Sequence, residues 1–161
     1  MSKERTITIS KSQVFFDMDM LSYGFSEVSG GPEAKRADRL ALDTASDNGA
    51  RIAKRLCDHR ISDIRHLLRR LVKSVTSSSA SDSFLTGDWT ITLYVSDETE
   101  DGTLAAVADL IHEYVANGAL ADYYAQMGAG VNVDSLNNRC NGDLARIREL
   151  LYYRPLPSMP S

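Results

Sequence analysis

Trp89-Thr-Ile-Thr-Leu-Tyr-Val95 alternates large apolar residues with Thr or Tyr, which places Trp89, Ile91, Leu93 and Val95 on one face of a β-strand. A strand alone leaves its backbone donors and acceptors unpaired, so this one needs a partner. The best candidate is Glu4-Arg-Thr-Ile-Thr-Ile-Ser10, whose β-branched alternation turns Ile7 and Ile9 to one side. Most of the remaining chain carries apolar residues at helical spacing. The expected fold is therefore α+β and mainly α: a bundle of three to four helices, a small two-stranded or few-stranded β element, and an extended C-terminal arm.

Outward from the strands, Val14, Met18, Leu21 and Phe25 are spaced by four, three and four, which predicts a helix from about residue 11, ended by Gly30-Gly31-Pro32. Residues 33–46 are charged and read as a short helix or an ordered loop. From Ser46 or Asp47 as cap, the longest helix is expected to run to about Val75, with Ala53, Leu56, Cys57, Ile61, Ile64, Leu68, Leu71, Val72 and Val75 as its apolar stripe. Its outer face is basic: Arg51, Lys54, Arg55, Arg60, Arg65, Arg69, Arg70 and Lys73. The Ser-rich stretch from Thr76 to Ser83 reads as a flexible loop. After the central strand, Asp97 to Thr103 supplies an acidic turn suited to the positive end of a helix dipole. That helix, about Thr103 to Met127, carries Leu104, Ala108, Ile111, Val115, Ala119 and Tyr123, and its small residues Ala116, Gly118, Ala119 and Ala121 permit close approach by another helix. Gly128-Ala-Gly130 closes it. A last helix, about Asp134 to Tyr153, presents Leu136, Cys140, Leu144, Ile147 and Leu151. Residues 154–161 hold three prolines and read as an extended arm attached to a single domain of residues 1–153.

At 161 residues and 43% apolar content the chain suits one domain with a real core. It shows no apolar leader and no window long enough to span a membrane, so no membrane association is expected. Cys57 and Cys140 lack CxxC spacing and read as buried free thiols. Charge is segregated along the chain. Residues 1–73 carry fourteen of the eighteen Lys/Arg against ten acids, residues 74–138 carry ten acids and no Lys or Arg, and residues 139–161 carry four cations against two acids. A domain that is electrostatically two-sided favours head-to-tail contact with its own copies.

Catalytic motifs are weak. Val14-Phe-Phe-Asp17-Met-Asp19-Met-Leu21 resembles the first motif of haloacid-dehalogenase-type phosphatases, in which a strand delivers two aspartates one residue apart, a nucleophile and an acid/base, around magnesium. That family needs a parallel sheet of several βα units, a later lysine and a further acidic motif on another strand. Here the last lysine, Lys73, is read in the long helix, Asp97 and Asp101 follow a strand in a chain with only two convincing strands, and the helical spacing of Val14, Met18 and Leu21 reads Asp17 and Asp19 as exposed helix positions. His59 and His66 share a helix side without a carboxylate set, and His112 stands alone, so no metal site is expected. Neither a nucleophile elbow nor a phosphate-binding loop occurs. The Arg-rich helix 51–73 raises a nucleic-acid-binding regulator as a further alternative, against an overall pI near 5.3 and the lack of an aromatic platform.

The strand Thr6-Ile-Thr-Ile9, Val14 and Ser22-Tyr23, the turn into Ala45-Ser-Asp47, the strand Trp89 to Tyr94, Ser96 before the acidic turn, the helix Leu110 to Tyr124 and the closing Leu150-Leu-Tyr-Tyr-Arg-Pro155 together resemble small virion proteins of tailed phages infecting Bacteroides-type gut bacteria. The resemblance covers most of the chain as a pattern of elements. It implies a structural virion protein rather than an enzyme: a head–tail connector or neck-ring adaptor, made in the host bacterial cytoplasm, that forms a ring with itself and bridges portal to tail components, with passing contact to packaged DNA. No catalytic residue, metal or cofactor is then required. Candidate subunit-interface residues are Arg51, Arg55, Arg65, Arg69 and Arg70 on the basic side, Asp97, Glu98, Glu100 and Asp101 on the acidic side, and Arg154, Leu156 and Met159 on the arm.

Overall fold

The computed structural model describes residues 2–28, 47–68, 70–77, 88–126 and 130–151. Within them the order is strand β1 (Ser2–Ser10), helices α1 (Lys11–Val28) and α2 (Asp47–Leu67), strands β2 (Val72–Ser77) and β3 (Asp88–Ser96), and helices α3 (Asp101–Gln126) and α4 (Gly130–Leu151). The fold is mainly-α α+β, with four helices and a three-stranded antiparallel sheet among the described residues. The segment 33–46, the Gly30-Gly31-Pro32 stop, most of the Ser-rich stretch and the arm 154–161 lie outside the described residues, as do Arg69, Arg154, Leu156 and Met159.

The sheet is built around β3, flanked by β1 and β2. β1 pairs with it antiparallel from Ser2 opposite Ser96 to Ser10 opposite Asp88, which sets Ile7 against Ile91 and Ile9 against Trp89. The predicted face is the buried one: Ile7, Ile9, Trp89, Ile91, Leu93 and Val95 all lie in the core. Thr6, Thr8 and Tyr94 occupy the opposite, exposed face. The sheet's apolar face is tied to the helices through Trp89. Phe15 of α1 meets its ring edge-on at 6.2 Å, the Lys11 ammonium lies 5.4 Å from its centroid, and its indole N–H donates to Asp58 of α2 at 2.9 Å.

The expectation of a helix continuing to Val75 is wrong. α2 ends at Leu67, and the amides of Leu71 and Val72 both donate to the Leu68 carbonyl in a tight turn. The Tyr94 amide then donates to the Leu71 carbonyl, and Val72–Ser77 runs as a third strand along β3. This also moves Thr76 and Ser77 from the expected loop into the sheet. The misreading has a definite origin. Val72 and Val75 are three apart, as on a helix face, and an ordinary strand would send them to opposite sides. A bulge between Val72 and Ser74 inserts Lys73 as an extra residue, so Val72 pairs with Leu93 and Val75 with Ile91, both of which point into the core. A bulged strand can thus imitate helical periodicity over four residues.

α3 is the centre of the molecule, packed against α4, α2, α1 and β1. Eight consecutive residues from Tyr114 to Ala121 are buried, the mark of a helix wrapped on all sides. Its small residues let the surrounding elements approach. Leu136, Cys140, Leu144 and Ile147 of α4 and Val14, Phe15 and Met18 of α1 complete the core, where Cys57 and Met18 bring their sulfurs to 3.4 Å. Cys57 and Cys140 are free and buried.

Candidate functional site

Two features on the flanks of α3 bring polar groups of different helices together. The larger is a groove of about 940 Å³ where α1 meets α3, closed at one side by Arg139 of α4. Residues of α1 set its apolar wall. Val14, Phe15 and Met18 turn into the core, so Phe16 and Met20, one turn apart, are left 63% and 57% exposed beside half-buried Leu21. The α3 side contributes Asp109 and Glu113, both exposed, and Ala116 and Asn117, both buried. The Nε2 of His112 lies 2.5 Å from Oδ2 of Asp17 and bridges the two helices.

The second feature lies between α2 and α3. Arg60 donates from Nε and an Nη to the two carboxylate oxygens of Asp122, each at 2.8 Å, and its guanidinium sits 5.8 Å from the Tyr114 ring centroid. Burial by itself lowers the pKa of Arg60, but Asp122 and Tyr114 outweigh it and hold the group charged. The arginine runs over Gly118, where a Cβ would fall 2.7 Å from its Nε. A smaller hollow of about 810 Å³ beside this pair is lined by Ile52, Arg55, His59 and Gln126.

The structure rearranges the sequence-predicted basic face. Arg60 turns inward and its side chain is only 15% exposed. Lys54 pairs with Asp58 on the same helix, and Lys73 lies on β2 and pairs with Glu4. Arg70 is exposed in the turn after α2, and Arg51, Arg55 and Arg65 are exposed on the helix itself. A continuous cationic track over residues 51–73 is therefore absent among the described residues. On the acidic side, Asp97 and Glu98 form the turn after β3, and Glu100 immediately precedes α3. Asp101 pairs with Arg5 of β1, and the Lys3 ammonium donates to the Asp97 carbonyl, so part of the charge split is neutralised within one chain.

Asp17 and Asp19 both lie on α1 rather than after a strand. Positions two apart on a helix diverge by about 200°, so these two carboxylates cannot converge on one metal ion or phosphorus from a shared strand tip as the phosphatase motif requires. Asp17 is half-buried against His112, and His112 is not alone as its sequence context suggests. No set of three or more His, Cys, Asp or Glu among the described residues is arranged to hold a metal ion. No described helix is long and apolar enough to cross a membrane.

The inward turn of Arg60 had a signal in the sequence. The residue stands three after Cys57 and four before Ile64, at the edge of the apolar stripe, and Gly118 interrupts a helix rich in alanine where something bulky must pass. The Asp17–His112 contact had none, because it joins residues 95 apart. In comparison with protein-family models, curated proteins and solved structures, no match to this chain is found.

Proposed function

We propose that this chain is a structural virion subunit, a head–tail connector or neck-ring adaptor that assembles with its own copies and bridges portal to tail components. The observation that carries the reading is the pair Phe16 and Met20, exposed one turn apart on α1 beside the acid-rimmed groove. Large apolar side chains held out beside a polar rim mark a surface that meets protein. The resemblance to phage neck proteins supports the same reading. So does the placement of charge: Asp109 and Glu113 flank the groove, while Arg55, Arg65 and Arg70 are exposed on α2 and the turn after it, which supplies the complementary surfaces of a head-to-tail contact.

Sedimentation velocity and negative-stain microscopy of the purified chain test the proposal. The expected result is a closed oligomer at 0.1 M salt that weakens toward 1 M, as the Debye length contracts from about 10 Å to about 3 Å. Arg55→Glu, Arg65→Glu and Arg70→Glu together are expected to dissociate it at low salt. A chain that stays monomeric under every condition overturns the proposal. Magnesium-dependent phosphomonoester hydrolysis lost in Asp17→Asn would instead establish the enzyme, and tight DNA binding lost in the triple variant would establish the regulator.

A further inference from the structure

We infer that the groove between α1 and α3 is the receptor for the proline-rich segment Arg154–Met159 of a neighbouring copy. This rests on the reading of the chain as a self-assembling subunit and names the contact that joins its copies. Three features of the groove define its ligand. Phe16 and Met20 offer an apolar strip one helical turn long. Asp109 and Glu113 stand exposed on the facing helix; together with Asp17 they outnumber Arg139, the arginine of the lining, and favour a further cation. Asn117, only 2% exposed, lines the same groove and adds an amide to it. An amide in the lining suits a ligand that brings backbone carbonyl or amide groups. An apolar strip, a cation site and a buried amide together specify an extended, basic, apolar peptide.

Arg154-Pro-Leu-Pro-Ser-Met159 has that chemistry. Its prolines favour the polyproline II conformation, which repeats every three residues, so Leu156 and Met159 fall on one edge about 9 Å apart. Such a helix has no internal hydrogen bonds and presents its carbonyls outward, where Asn117 can donate to one. Prolines also restrict the free segment, which lowers the ordering cost of docking against an aromatic such as Phe16. Arg154 then meets Asp109 and Glu113. The ten residues beyond Leu151 extend at most about 35 Å, enough to cross to an adjacent copy. The volume of about 940 Å³ lies within the size of sites that hold a short peptide or a drug-sized ligand.

The test places a photoreactive benzoylphenylalanine at position 159 of the full chain and mixes ¹⁴N- and ¹⁵N-labelled subunits before assembly. Cross-links from position 159 to residues 12–21 or 109–117 are expected, with the two isotopes mixed in the cross-linked peptides. Phe16→Asp should reduce their yield about tenfold, as expected for loss of an anchor residue. Asp109→Lys with Glu113→Lys should do the same, and adding Arg154→Glu should restore the product. These groove positions are exposed, and far-ultraviolet circular dichroism checks each variant's fold. The cross-link in the otherwise unaltered chain is a readout that does not depend on the variants. Cross-links confined to single-isotope peptides would place the segment on its own chain and overturn the inference. An oligomer that forms without any cross-link to the groove would overturn it while leaving the connector reading intact. A monomer under all conditions would overturn both.

Discussion

Gly118 holds its place because of an arginine. A methyl group there would approach Arg60 Nε to 2.7 Å and Cδ to 2.8 Å, and the guanidinium cannot swing aside without breaking both bonds to Asp122. Replacing glycine by alanine inside a helix ordinarily gains up to about 1 kcal/mol. Here Gly118→Ala is expected to lose about 1 to 2 kcal/mol in urea unfolding, because overpacking outweighs propensity. In an Arg60→Ala background the same substitution should become stabilising. A gain with Arg60 intact would mean that the ion pair is less constrained than its geometry implies. Asp143 carries a pH dependence. Burial, then the negative charge of Glu113, raises its pKa to about 6, against the opposing pull of Arg139 and Arg146, and one carboxyl oxygen has no hydrogen-bond partner among the described residues. Because the folded value lies above the ordinary 3.8, the folded protein binds this proton more tightly than the unfolded chain. The resulting stability is fully present below about pH 4 and is lost as pH rises through about 6. Asp143→Asn should thus gain about 1 kcal/mol at pH 7 after allowance for solvent screening, and nothing at pH 4. Equal effects at both pH values would remove the titration argument.

At the scale of elements, β2 depends on one extra residue. With Lys73 deleted, Val72 and Ser74 become neighbours, and pairing runs without interruption from Val72–Leu93 through Ser74–Thr92 to Val75–Ile91. The apolar face of the strand is unchanged, and only the Lys73–Glu4 contact and the local twist are lost. The deletion should therefore leave the melting temperature little altered. Deleting Val75 instead brings Thr76 toward the place opposite Ile91 and reverses the sides of the residues that follow, so its drop in melting temperature should be several times larger. Similar losses for the two deletions would show that the bulge itself stabilises the sheet.

At the scale of the molecule, the two thiols report whether the core opens. Cys57 touches Met18 across α1 and α2, and Cys140 lies against the Tyr114 carbonyl across α3 and α4. Burial raises both thiols, that of Cys140 to about 11, so neither is a ready thiolate. Iodoacetamide should leave both unmodified in the native protein and react with both at one common rate when opening is global. Faster modification of Cys140 would show that α4 separates from α3 before the rest unfolds. The charge distribution also acts at this scale. Arg5–Asp101, Lys73–Glu4 and Arg60–Asp122 pair the basic N-terminal half with acids of both halves, while Asp109, Glu113, Arg55, Arg65 and Arg70 are exposed and available for salt-dependent assembly.

By itself the sequence determined the strand pair, the faces Ile7/Ile9 and Trp89/Ile91/Leu93/Val95, the apolar stripes Val14/Met18 of α1, Ala53 to Ile64 of α2, Leu104/Ile111/Val115/Ala119 of α3 and Leu136/Cys140/Leu144/Ile147 of α4, and the burial of both cysteines. These follow from alternation and helical spacing, which depend on neighbours a few residues away and are read directly from the chain. Only the tertiary structure decided where α2 stops, that Val72–Ser77 joins the sheet, that Arg60 points inward, and that Asp17 meets His112 beside an exposed Phe16. Each of those outcomes depends on a residue distant in the chain: β3 supplies the hydrogen bonds that draw Val72 out of a helix, Asp122 supplies the charge that makes burying an arginine tolerable, and α3 brings the histidine. Local periodicity carries no information about such partners, and the groove, which is built wholly from contacts between helices, could be seen only once they were packed.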